Sequence, residues 1–319
     1  MQYLYDLNDE KNFIDPVEVK RPDGYVFENQ HTVLLPENPR RNLTMTDSVM
    51  FKSQSQEAPK NMHVHHGGYE IFFVDSGGMD SYVNQQKAYV KPGSILFYQP
   101  FQAHGAYFHA DVKFRGFFHD LPYKEEGEAG VLLRKYYPDF ATDPEFPPDN
   151  APMRDFIDAE PAYNFKEVSP EECSCIRHRE RPMAQFELDG CTAKMITARW
   201  ENSGLCEMWC FEMKPGFFAE SYKYPKITDL YYVTEGEVKF KVYDEEFVAK
   251  TEHLVKIPRY APRRFEALTD AVMYDVGGMP MWHSYFLDRA SILGLDPERA
   301  KDPETWDKLR NKYDIHYKL

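Results

Sequence analysis

The chain has 319 residues, enough for one large or two medium domains, and 22 Tyr and 23 Phe supply ample core material. A net charge of −14 with a pI near 5.3 argues against nucleic acid or an anionic membrane as the main partner. The five cysteines are odd in number and lack a CxxC spacing, the Met1–Asp6 start has neither basic nor apolar leader character, and no apolar run is long enough to span a bilayer, so a reducing cytoplasm is expected.

Short strands with turn punctuation are predicted at 43–51, 62–66, 69–74, 80–84, 87–90, 94–98, 104–108 and 113–118, with turns at Gly67-Gly68, Gly77-Gly78 and Pro92-Gly93. Such even spacing suggests an antiparallel barrel or jelly roll. From 120 to 180 the character changes. A short helix at 130–136 and a Pro- and Asp-rich stretch at 138–161 read as a connector that could cover a barrel mouth. Arg177 to Arg181 is locally basic and reads as a solvated turn, with an anion site as the alternative. Cys173-Ser174-Cys175 lacks a matching second pair for zinc and reads as free thiols. Strands return at 193–200, 206–213, 229–233, 237–242, 253–257 and 271–276, with Cys206 and Cys210 packing as small apolar groups. From about 284 the chain reads as helical, and Asp296-Pro297-Glu298 and Asp302-Pro303-Glu304 each set an N-cap Asp before a Pro.

The chemistry concentrates in the first half. His63 and His65 are two apart, so on a strand they share a face. Glu70 opens the next apolar run, and His104 follows a Pro-containing turn. Three imidazoles and one carboxylate from neighbouring strands can hold one divalent metal and leave positions open for a substrate. Alternation places Phe72 on the face of Glu70, and Ala106 and Phe108 on that of His104, so Phe72 and Phe108 are candidates for the pocket wall. Tyr98, before the ligand turn, and His66, after the ligand strand, are candidate acid–base residues. Arg259, Arg263 and Arg264 read as exposed loop charges.

These residues resemble the cupin superfamily. Its first motif, His-x-His, four residues, Glu, six residues, Gly, is met by His63, His65, Glu70 and Gly77. Glu57 stands where a Gly usually precedes the first His. Gly93, Pro100 and His104 match the second motif, although the turn is one residue tighter, lacks its inner Gly, and Phe108 replaces the later Asn. The second half repeats the pattern. Asp229 to Gly236 aligns with Glu70 to Gly77, Tyr222 and Tyr224 fall at His63 and His65, and Pro262 falls at His104.

The resemblance implies an all-β bicupin of two double-stranded β-helix barrels with a few short helices. The expected layout is an N-terminal barrel with the metal site (1–120), a connector or lid (121–182), a degenerate C-terminal barrel (183–283) and a helical tail (284–319). It implies one divalent transition metal (Mn, Fe, Zn, Ni or Co, with Mn or Fe favoured) on His63, His65, Glu70 and His104. The expected activity acts on a small cyclic or keto/hydroxy substrate: carbon–carbon cleavage or ring opening through a metal-bound enolate and metal-activated water. The alternatives are a dioxygenase, a carbonyl or sugar isomerase, and a ligand-sensing barrel like that of AraC-type regulators. A seed-globulin-like storage role conflicts with the four ligands. The expected partners are a small-molecule substrate and a second copy of the chain in a homodimer, with no nucleic acid or membrane.

Overall fold

The computed structural model describes residues 2–13, 30–34, 42–50, 62–65, 69–100, 102–120, 154–156, 165–201, 207–222, 228–277 and 281–313, with strand backbone only at 30–34, 42–50, 63–65, 118–120, 154–156 and 220–222. The helix expected at 130–136, the stretch 138–161, and His66, Tyr224 and Cys206 lie outside the described residues. The chain divides into two units, Asp9–His178 and Met1–Asn8 with Arg179–Leu319. Strand β1 (Leu4–Asp6) belongs to the second of these.

The first unit is built from β2 (Gln30–Leu34), β3 (Asn42–Met50), β4 (His63–His65), β5 (Tyr69–Ser76), β6 (Met79–Val83), β7 (Gln86–Val90), β8 (Ile95–Tyr98), β9 (His104–Phe108), β10 (Val112–Asp120), β11 (Arg154–Phe156), β12 (Lys166–Glu167) and β13 (Ile176–Arg177). Among the described residues they form two six-stranded sheets, ordered β13-β8-β5-β10-β3-β2 and β11-β4-β9-β6-β7-β12. The sequence alternates accordingly. Val74, Met79, Val83, Leu96, Tyr98, Phe108, Val112 and Phe114 share one core. Residues 165–178, expected as connector, belong to this unit and bring Cys173, Cys175 and Ile176 into that core.

Gly77 shows why its turn needs glycine: its φ is +84°, and a Cβ there would meet the Asp111 carbonyl oxygen at 2.3 Å. Gly236 repeats this in the second unit, with φ +78° and the Asp270 carbonyl oxygen at 2.1 Å.

The second unit adds β14 (Ala184–Leu188), β15 (Cys191–Thr197), β16 (Met208–Met213), β17 (Phe218–Tyr222), β18 (Asp229–Glu235), β19 (Glu237–Val242), β20 (Glu245–Lys250), β21 (His253–Ile257), β22 (Arg263–Ala267) and β23 (Ala271–Asp275). The sheets are β1-β21-β18-β23-β16-β15-β14 and β17-β22-β19-β20. Tyr231, Phe240 and Phe265 meet at ring-centroid distances of 5.8–5.9 Å in the core. Helices α1 (Trp282–Leu295) and α2 (Pro303–Lys312) follow. α1 packs Trp282 and Phe286 on Phe211 and Trp209 of β16. The Asp302 side chain accepts from Glu304 N–H with Pro303 at the first position, the cap the sequence predicts. Asp296 instead accepts from Arg299 N–H and starts a single 3-10 turn.

Candidate metal centre

Glu70 and His104 reach each other from opposite sheets of the first unit. Glu70 is the second residue of β5, His104 the first of β9. Glu70 Oε2 lies 3.1 Å from His104 Nε2, with side-chain exposures of only 5% and 3%. His104 Nδ1 lies 2.8 Å from the Gln102 carbonyl oxygen. That oxygen can only accept, so Nδ1 carries a proton and Nε2 is the ring nitrogen turned to Glu70. A carboxylate oxygen and a bare ring nitrogen at this distance repel. A positive charge between them relieves the repulsion, supplied either by a proton on Nε2 or by a metal ion. The donor set therefore fits a divalent cation.

His63 is the register partner of His104 across β4 and β9, and position 65 follows two along on β4. The His63 backbone thus lies beside His104, and the side chains of both histidines lie outside the described residues. Among the described residues no group of three or more His, Cys, Asp or Glu side chains gathers at one point.

Tyr98 is the register partner of Glu70 and faces inward with it. Its ring stacks on His104, with centroids 4.1 Å apart and planes 12° from parallel. The phenol turns to Ser81, with 2.7 Å between oxygens, and burial pushes it well above the ordinary tyrosine range. Phe72 is half-buried and meets Tyr98 edge-on at 5.9 Å. Phe108 sits in the barrel core, four residues along β9 from His104, which is about 13 Å of strand rise.

The second unit repeats this geometry with different chemistry. Asp229 pairs in register with Ile257 as Glu70 does with Tyr98. Arg263 pairs with Val242 and Tyr222 as His104 does with Val83 and His63. The bond from Asn84 N–H to the Ala103 carbonyl recurs from Tyr243 N–H to the Pro262 carbonyl. Arg263, not Pro262, is therefore the counterpart of His104. The sequence alignment slipped by one because Pro100 and Pro258 occupy adjacent positions in turns of equal length.

Nor is Arg263 an exposed loop charge. It is fully buried, and its Nε lies 2.9 Å from Asp229 Oδ2. Tyr231 donates its hydroxyl to the same oxygen at 3.0 Å. Asp275, also fully buried, has its carboxyl pushed well above the ordinary range, by burial first and by Asp229 second. A guanidinium thus meets the carboxylate at the place where the first barrel sets an imidazole.

No protein-family model matches the sequence. No curated protein is similar to it in sequence. Among solved structures, an oxalate decarboxylase from Lactobacillus farciminis in complex with formate aligns over 95% of this chain and 96% of its own, at 12% identity and a TM-score of 0.52. The chain has the bicupin fold. Other similar structures are a cupin 2 conserved barrel domain protein from Leptotrichia buccalis (12% identity, 86% and 96% covered, TM-score 0.47) and the Bacillus subtilis oxalate decarboxylase with Mn(II) centers (10%, 86% and 76%, 0.49).

Within the bicupin, sequence reasoning missed three supports of the His104 side. Gln102 acts through its backbone carbonyl, which no residue pattern reveals. Ser81 lies between Met79 and Val83 on the inward register of β6, and a polar residue in an apolar row is a readable signal. Cys175 comes from a segment read as connector; its sulfur lies 3.4 Å from Ser81 Oγ. Among the described helices, none is long and apolar enough to cross a membrane.

Proposed function

We propose that this bicupin is a metal-dependent enzyme whose first barrel holds one divalent transition metal, Mn or Fe by preference, on His63, His65, Glu70 and His104. Its substrate is a small cyclic or keto/hydroxy molecule, and its reaction is carbon–carbon cleavage or ring opening. The observation that supports this reading is the buried Glu70–His104 contact with Nδ1 of His104 tied to Gln102, an arrangement that a cation can complete. When bound, such a metal supplies a Lewis acid that polarises a substrate carbonyl or acidifies water.

The chain's own residues set the stage for that chemistry. Glu70 offers negative charge from one sheet, and His104 offers a neutral imidazole from the other. Tyr98 backs the imidazole with its ring and keeps its phenol protonated, which suits a positioning residue better than an acid or base. Phe72, inward and half-buried, gives an apolar flank that favours a compact, flat substrate. The likeness in fold to an oxalate decarboxylase supports cleavage of a carbon–carbon bond in a small oxygenated molecule.

The test is turnover by metal-loaded protein on small keto acids and cyclic 1,3-dicarbonyls, in air and without oxygen. Cleavage without oxygen is the expected result. Product formed only with oxygen selects the dioxygenase. Rearrangement without cleavage selects the isomerase. Saturable binding without turnover selects the sensing barrel.

A further inference from the structure

The segment that carries Cys173 and Cys175 is fastened to the first barrel. Strand β13 pairs with Leu96 and Ile95, and Phe97 N–H donates to the Cys175 carbonyl at 2.8 Å. Ser174 N–H donates to the Gln86 side chain at 3.1 Å. The two sulfurs lie 3.5 Å apart, both residues buried. From there a chain of contacts runs inward: Cys175 Sγ to Ser81 Oγ at 3.4 Å, Ser81 Oγ to the Tyr98 hydroxyl at 2.7 Å, and the Tyr98 ring on His104 at 4.1 Å.

We propose that Cys173 and Cys175 form an oxidisable dithiol that responds to hydroperoxides and loosens the backing of His104 when it closes to a disulfide. The effect on metal binding rests on the metal reading above; disulfide formation does not. The two thiols are unequal. Cys173 is drawn down to about 7, chiefly by a hydrogen bond from Cys175, whereas burial pushes Cys175 well up. Cys175 is also the deeper of the two, fully buried with its sulfur against Ser81 Oγ, so Cys173 is the attacking thiolate. It takes the outer oxygen of the hydroperoxide: an S–O bond forms, the O–O bond breaks, and an alcohol (water, for hydrogen peroxide) leaves. Cys175 then attacks the sulfenic sulfur, forming S–S and breaking S–O, and its proton leaves with the hydroxyl as water. Two thiols lose two electrons and two protons; the hydroperoxide is reduced by two electrons.

Closing the bond brings the sulfurs from 3.5 Å to about 2.05 Å. The Cys175 backbone is held by Phe97, so closing the bond must move its sulfur and disturbs the 3.4 Å contact with Ser81. The Ser81–Tyr98 pair loses its outer support, and with it the ring that orders His104. Hydrogen-bonded partners that orient a ligating histidine are worth about 10–100-fold in metal affinity, and a stacked ring such as Tyr98 is expected at the low end of that range.

The experiment treats the full chain with hydrogen peroxide, maps peptides by mass, and titrates manganese(II) before and after. The expected result is a disulfide between Cys173 and Cys175 that a dithiol reductant reverses. It should come with about tenfold weaker manganese(II) binding and a changed near-ultraviolet tyrosine dichroism. Cys173→Ala and Cys175→Ala should each abolish both responses. A lone sulfinic acid, or thiols that survive the oxidant, overturns the proposal. So does a disulfide that leaves manganese(II) affinity unchanged. If the reduced protein binds no metal, the metal reading fails by itself. The disulfide and its dichroism change, both measured without metal, then decide this proposal.

Discussion

Arg263 holds in the second barrel the register position that His104 holds in the first. Each faces a buried carboxylate from the opposite sheet, Asp229 in one case and Glu70 in the other. The difference is where the positive charge comes from. An imidazole beside a carboxylate takes its positive charge from a proton or from a bound cation. A guanidinium carries its own.

Removing that charge should be expensive. Arg263→Ala leaves Asp229 buried without its cation, and the expected loss is about 3–5 kcal/mol of unfolding free energy in denaturant titration of the full chain. Metal content of this variant should stay as in the wild type.

Asp275 makes a pH prediction with a definite sign. Its folded-state pKa is raised well above the ordinary 3.8, so the folded chain keeps a proton that the unfolded chain releases. Its contribution is fully present below the unfolded value and is lost as pH rises toward the folded one. Asp275→Asn keeps the neutral shape and removes this dependence. The stability of the variant relative to wild type should therefore increase from acid to neutral pH in paired denaturant titrations. A difference that shrinks with rising pH would contradict a protonated Asp275.

Tyr98 joins two roles that substitution can separate. Tyr98→Phe removes the bond to Ser81 but keeps the stack on His104, at an expected stability cost of about 1 kcal/mol. Tyr98→Ala removes both, at a cost of about 3–5 kcal/mol, and should weaken metal retention as well. Denaturant titration and metal content after dialysis measure the two effects.

Cys173 should ionise near neutral pH. Its thiolate absorbance is expected to rise with a midpoint of about 7 rather than 9.0, because Cys175 donates a hydrogen bond to it. Cys173→Ala should erase that step, and Cys191 and Cys210, both pushed up to about 12 by burial, should contribute nothing near neutrality.

Much of the barrel was legible because alternation and turn chemistry agree. The strands of Glu70, Met79 and Ile95 begin within a residue or so of their predicted places, and Gly77 and Gly236 sit where only glycine fits. Strand β22 was missed because Arg263 faces inward where an apolar residue was expected, and its partner Asp229 is distant in sequence. Strand β20 was missed because Glu245, Glu246 and Lys250 make a half-exposed strand read as a loop. The motif spacing led to Glu70 and His104. It could not show that Tyr98 stacks on His104 or that Cys175 leans on Ser81, since those contacts depend on how two sheets and a distant segment close together.

The central claim is a single metal in the first barrel, and counting metal tests it most directly. After reconstitution with manganese(II) or iron(II) and gel filtration, the account predicts one metal ion per chain by elemental analysis, none in Glu70→Ala or His104→Ala, and still one in Tyr222→Phe. A wild-type chain that retains no metal, or two ions per chain, would contradict it.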